Sequence, residues 1–402
     1  MKNLLDCSRI DIEPIARSGG NAIGRKVLAL AFSLAVVVTG GQAAQAQKLT
    51  TIYSFKGAPD GEISYAGLFL DAKGNLDGTT VGGGTSSVGT VFSVTPAGKE
   101  KVLHSFTNAP DGALPYAALI ADAKGNLYGT TSQGGKSKFG SVFQITPAGK
   151  EKIIYSFTGG ADGSIPFAGV IQDAKGNLYG AALEGGTSGV GTIYSVTLAG
   201  KQKVLYTFSG GADGALPYCQ LVRDSKGNFY GTTLGGGSIG GGTVFEVTSA
   251  GKEKVLYNFA GGTDGAQPYG GVIRDAKGNL YGTTSIGGTG GAGTVFKVSP
   301  GGKEKVLYNF TGGADGGTPF DALVQDAKGN LYGTTFSGGK FTEGAVFKVT
   351  PAGKESVLHS FTAGTDGAIP YGGLIQDAKG NLYGTTLEGG ASHLGVVFKI
   401  VP

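Results

Sequence analysis

Seven aspartates, Asp60, Asp111, Asp162, Asp213, Asp264, Asp315 and Asp366, recur at intervals of 51 residues, and each precedes a glycine. Carboxylates repeated in this way admit two chemistries. Together with loop carbonyls they could hold Ca²⁺, a hard cation that takes six to eight oxygens. Alternatively, each Asp-Gly closes a turn and caps nearby N–H groups. One carboxylate per repeat is thin for a closed metal site, so the turn reading is preferred and no cofactor is expected, with Ca²⁺ as the alternative. Other constellations fail on spacing. His104, His359 and His393 fall in separate repeats, two of them where other copies carry tyrosine, which suits neither zinc nor a catalytic triad. Gly134-Gly135-Lys136-Ser137 resembles a phosphate loop, but its first glycine is replaced by Thr130 and a strand follows. No tryptophan is present, which weakens carbohydrate stacking, although Tyr116 and Tyr218 fall near candidate loops.

These residues are positioned by a repeat. Asp71, Asp122, Asp173, Asp224, Asp275, Asp326 and Asp377 each open an Asp-(Ala/Ser)-Lys-Gly-Asn turn, again every 51 residues without insertion or deletion. In the second copy, residues 117–122, 127–131, 141–146 and 152–157 are short apolar runs separated by turns or a glycine-rich loop. No run has helical periodicity. Four short strands per 40–50 residues predict a propeller blade. Residues 48–55 match a fourth strand and residues 395–402 a third. The all-β expectation is therefore a seven-bladed propeller of four-stranded antiparallel blades, closed by the N-terminal strand joining the last blade.

Composition agrees with a turn-dense β protein. The chain has 402 residues, 78 of them glycine, without the every-third-position spacing of collagen. There are 33 Lys and Arg against 29 Asp and Glu, so no basic footprint for nucleic acid is present. Arg25-Lys26, an apolar stretch to about Gly40 and Ala44-Gln45-Ala46 read as an export signal over residues 1–46, with the propeller over 47–402. The apolar stretch is too short to span a bilayer comfortably. Export would remove Cys7 and leave Cys219 alone, so a mature monomer has no disulfide framework. The expected product is secreted or periplasmic and monomeric, with no membrane insertion once the signal is removed.

The run Pro166 to Gly180 resembles the inner hairpin of NHL-type propeller repeats. The whole unit, with Gly-Asn-Leu-Tyr-Gly-Thr-Thr and Gly-Thr-Val-Phe-x-Val-Thr-Pro-Ala-Gly, is similar to the GloVer tandem repeat. That resemblance covers residues 48–402 and implies a bacterial extracellular propeller. Some members carry C-terminal sorting anchors; this chain ends at Pro402 inside a blade and is expected to be released.

Internal repetition then filters candidates, because residues present in every copy build the blade and a ligand site arises where copies differ. The aromatic positions of the second and third strands repeat, and are expected to pack between blades. Asp77, where other copies have tyrosine, is expected near solvent or paired. The loop face carries twelve carboxylates and four lysines, which would attract a cation, an amine or a basic surface. Its exceptions are Lys136 and Phe139; Lys340, Phe341 and Glu343; and His393. Near the axis, Cys219, Gln220 and Asp321 replace Ala or Gly at the expected channel mouth. The leading expectation is a binding or scaffolding propeller for an extracellular protein, peptide or glycan. The alternative is an extracytoplasmic hydrolase or lyase acting on a polar or carbohydrate substrate, with Asp321 as acid or base.

Overall fold

The computed structural model describes residues 48–402. The export signal expected over residues 1–46, with Cys7, lies outside the described residues. The described chain forms seven four-stranded antiparallel sheets. Blade 2 shows the pattern, with strands Ile120–Ala121, Leu127–Thr131, Ser141–Ile145 and Glu151–Ser156 running from the axis outward. Its tight turn is built by Asp122. One carboxylate oxygen accepts the N–H groups of Lys124 and Asn126, each at 2.9 Å; the other accepts the Asn126 amide at 2.8 Å and the Tyr128 hydroxyl at 2.9 Å. Gly125 sits between them at φ 78°, a left-handed position that glycine occupies without steric cost.

The last blade takes its outer strand from the start of the described chain. Leu49–Ser54 pairs with Val396–Ile400, with Leu49 opposite Ile400 and Ser54 opposite Val396. Closure leaves no half-finished sheet at the ring's seam.

Adjacent blades pack through aromatic side chains. The phenylalanine that follows each outer strand meets the third-strand aromatic of the following blade edge to face, as Phe106 meets Phe143 with centroids 5.1 Å apart. The circle of such pairs closes at Phe55 and Phe92. Each pair contributes roughly 0.5–1.5 kcal/mol beyond its buried area. Phe143 lies over Gly129, where an added Cβ would come within 2.6 Å of the ring. A glycine in mid-strand normally weakens a sheet; here only glycine leaves room for the ring.

One local expectation needs correction. The innermost segment expected over residues 117–122 forms ladder bonds only at Ile120–Ala121. Upstream, the Ala117 carbonyl accepts the Thr79 hydroxyl of the preceding blade at 3.0 Å. Equivalent bonds run from Thr130, Thr232, Thr283, Thr334 and Thr385. These groups staple one blade to the next instead of extending the ladder. Only the seam between blades 3 and 4 has alanine, Ala181, in the threonine's place. Asp77, expected near solvent or paired, is 6% exposed and takes the second of those two places, paired with Ser93. Burial pushes its carboxyl up to about 6, against a hydrogen bond with Ser93.

Candidate functional site

The chain enters each innermost strand through a residue held at positive φ: Ile63, Leu114, Ile165, Leu216, Gln267, Thr318 or Ile369. Left-handed backbone is costly for side chains of this size, by about 1–2 kcal/mol. The kink turns the chain from the loop face toward the axis, and the second residue after it is aromatic in every blade. Tyr65, Tyr116, Phe167, Tyr218, Tyr269, Phe320 and Tyr371 form a closed belt, with successive centroids 4.6 to 5.4 Å apart. The Tyr218 hydroxyl, from blade 4, hydrogen-bonds to that of Tyr371, from blade 7. Burial raises both phenols well above their ordinary range.

The belt lines an axial cavity of about 330 Å³. Below it, each blade contributes a pair of mostly small residues, Ala or Gly, as crowding at the axis demands. Blades 4 and 6 differ, and the structure brings the three axial candidates, Cys219, Gln220 and Asp321, into this one cavity wall. Their side chains are engaged differently. Cys219 is buried, its sulfur bonded to the Thr232 carbonyl at 3.3 Å and to the Thr232 N–H at 3.1 Å; burial pushes its thiol up. The Gln220 amide donates to the Val170 carbonyl at 3.4 Å. Asp321 accepts the N–H of Ala322 at 2.6 Å and that of Gly373, in blade 7, at 2.5 Å. Burial keeps its carboxyl above the usual range despite those two donors. No lysine, arginine, histidine or second carboxylate is among the described residues that line the cavity.

The aspartate ring lies elsewhere. Each of these carboxylates is bound within its own repeat, beside the outer strand and not at the axis. Asp213 takes the Tyr206 hydroxyl at 2.8 Å, the Ser209 N–H at 2.8 Å and the Ser209 hydroxyl at 2.5 Å. Asp60, Asp162, Asp264 and Asp315 take the tyrosine hydroxyl seven residues earlier in the same way. His104 and His359 replace that tyrosine, at 3.2 Å from Asp111 and 2.9 Å from Asp366. Among the described residues, no three His, Cys, Asp or Glu side chains converge as a metal ion would require.

The loop candidates do not reach the cavity wall. Lys136, Phe139, Lys340, Phe341, Glu343 and His393 sit in loops between second and third strands of blades 2, 6 and 7. Phe139 and Phe341 are 45% and 46% exposed, and the Lys340 ammonium lies 5.3 Å from the Phe341 ring centre. Ile239 and Ile286, at 63% and 42%, occupy the same loops of blades 4 and 5. Sequence reading passed over these two isoleucines and most of the belt. The belt's signal was present as an aromatic every 51 residues, just ahead of the small pair.

The fold is shared with solved structures of low identity. The extracellular domain of a protein assigned as a hybrid two-component system of B. thetaiotaomicron matches with a TM-score of 0.55 at 13% identity, covering 87% of this chain and 39% of that one. The extracellular domain of a protein assigned as a one-component system from the same organism gives 0.55 at 12%, covering 88% and 40%. This chain thus spans about two fifths of those chains. No functionally curated protein matches it. No helix among the described residues is long and apolar enough to cross a membrane. Residues 39–176, 148–327 and 217–402 match the Gloeobacter/Verrucomicrobia repeat, and the chain belongs to that family.

Proposed function

We propose that the protein is an exported binding propeller whose specificity pocket is the axial cavity beneath the aromatic belt. One observation carries this reading. In a ring of otherwise small axial residues, blades 4 and 6 bring Gln220 and Asp321 to a single cavity lined by seven aromatic rings. Apolar walls with a few convergent polar groups are the usual composition of a ligand site, and the volume is at the small end of the range for such sites. Export is supported by the basic, apolar and small-x-small pattern ending at Ala46 and by the likeness to extracellular domains. Acid–base catalysis finds less support, because Asp321 has no second carboxylate, histidine or lysine beside it in the cavity wall. The test is to fill the cavity. Ala118→Leu and Ala322→Leu are expected to abolish binding of any ligand identified by thermal shift while retaining the fold. Undiminished affinity in folded variants would refute the axial site.

A second reading has its own observation. Phe139, Ile239, Ile286 and Phe341 are all exposed on the loop face, in four different blades. Scattered exposed apolar residues are ordinary, and Leu198 and Val401 are exposed elsewhere, but four of the six large ones among the described residues share one class of loop, which suits docking of an extracellular protein, peptide or glycan. Replacing Phe139 and Phe341, with Lys136 and Lys340, by alanine tests this against the first identified macromolecular partner; unchanged affinity removes it.

A further inference from the structure

We infer that the axial cavity selects an organic ammonium ion, with Asp321 as counter-charge and the aromatic belt as its cage. The inference rests on the axial reading above and specifies the ligand's charge. Asp321 stands where the other six blades have Ala, Gly or Cys. Its two oxygens accept one backbone N–H each, whereas a carboxylate offers about four lone-pair sites. Among the described residues, its wall supplies no cationic side chain. An enclosed carboxylate lacking a counter-ion is costly, and a cation from solution offsets that cost.

The belt supplies the rest of the recognition. Aromatic faces attract cations through their quadrupole, most strongly when water is excluded, and cages of such rings suit alkylated ammonium groups. Five of the seven rings are tyrosines. The cavity volume of about 330 Å³ admits a small amine and excludes a folded peptide. A bare metal ion would find one carboxylate and no second one among the described residues of the wall, which is a poor match for a hard cation. A neutral sugar would leave the carboxylate uncompensated. The carboxylate-rich loop face would also raise the local concentration of a positively charged ligand.

The experiment is calorimetric titration of the purified protein with choline and with its neutral isostere, 3,3-dimethylbutan-1-ol. Choline is expected to bind at least about tenfold more tightly, and Asp321→Asn to remove that preference without affecting the alcohol. Burial holds the Asp321 carboxyl toward its protonated form, with Tyr371 the titratable group beside it. Thermal melting establishes that the variant is folded; if it is not, Tyr116→Leu and Phe167→Leu provide the same comparison. Equal binding of the two compounds, both abolished by Ala118→Leu, would overturn the ammonium inference and leave the cavity reading intact. Absence of choline binding at about 10 mM would overturn the inference as well.

Discussion

Five glutamates at the blade seams should make this propeller lose stability as pH rises from about 5 to 8. Glu100, Glu151, Glu253, Glu304 and Glu355 each open an outer strand, and each has a buried carboxylate oxygen without a hydrogen-bond partner. At Glu253, burial, reinforced by the Asp213 carboxylate of the preceding repeat, pushes the carboxyl from its ordinary 4.5 up to about 7. Asp264 acts in the same way on Glu304, and Asp315 on Glu355. Gln202 shows what the site wants. At the same register it donates its amide to the Asp162 carbonyl at 3.2 Å, as a protonated glutamate could. The folded state therefore binds these protons more tightly than the unfolded chain. Their contribution is full below pH 4.5 and is lost as pH rises through about 7. For a fully enclosed carboxyl that rise corresponds to about 3 kcal/mol; half-buried positions are screened, leaving about 1 kcal/mol each.

The clean test uses Glu253→Gln, Glu304→Gln and Glu355→Gln together, since the other two seams also involve Lys56 or His104. The triple variant should match the parent near pH 5 and exceed it by about 3 kcal/mol near pH 8, which is roughly 3–6 °C in Tm for a chain of this length. A difference between variant and parent that is the same at both pH values would refute the reasoning.

Four further outcomes follow from single sites. Tyr194→Phe should stabilise by about 1–2 kcal/mol, because the Tyr194 hydroxyl is buried without a partner; a lowered Tm would contradict this. Thr334→Val removes the staple to the Gly372 carbonyl and should destabilise by about 1–3 kcal/mol in denaturant unfolding. Cys219 should resist thiol reagents in the native protein and react only on unfolding, since it is buried and its thiol is pushed up. Calcium should move Tm by less than about 1 °C, given the donors already bonded to carboxylates such as Asp213. A rise of several degrees, reversed by chelator, would restore the metal reading of the ring.

The ring of blades was legible because its causes are local. Leu127–Thr131 and the Asp122 turn can be read from alternation, glycine and Asx chemistry within a dozen residues. The closing strand at Leu49–Ser54 was legible because the repeat is strict enough to show which strand is missing. Contacts across a seam were not. The Thr79–Ala117 bond joins residues 38 apart, and Glu253 meets Asp213 from 40 residues away. Nothing in composition says that these approach until neighbouring blades are set side by side. The candidate site was half-visible. Gln220 and Asp321 stood out as departures from the repeat, while most of the belt around them was passed over because it repeats faithfully. Repetition separates scaffold from exception, but here the scaffold itself supplies the cavity wall.

The most direct measurement is a crystal structure of the protein soaked with an ammonium compound such as choline. Density beneath the aromatic belt, with the ammonium group against Asp321, is the predicted result. A cavity holding only water, with the ligand bound among the loops around Phe139 or Phe341 instead, would contradict the axial account.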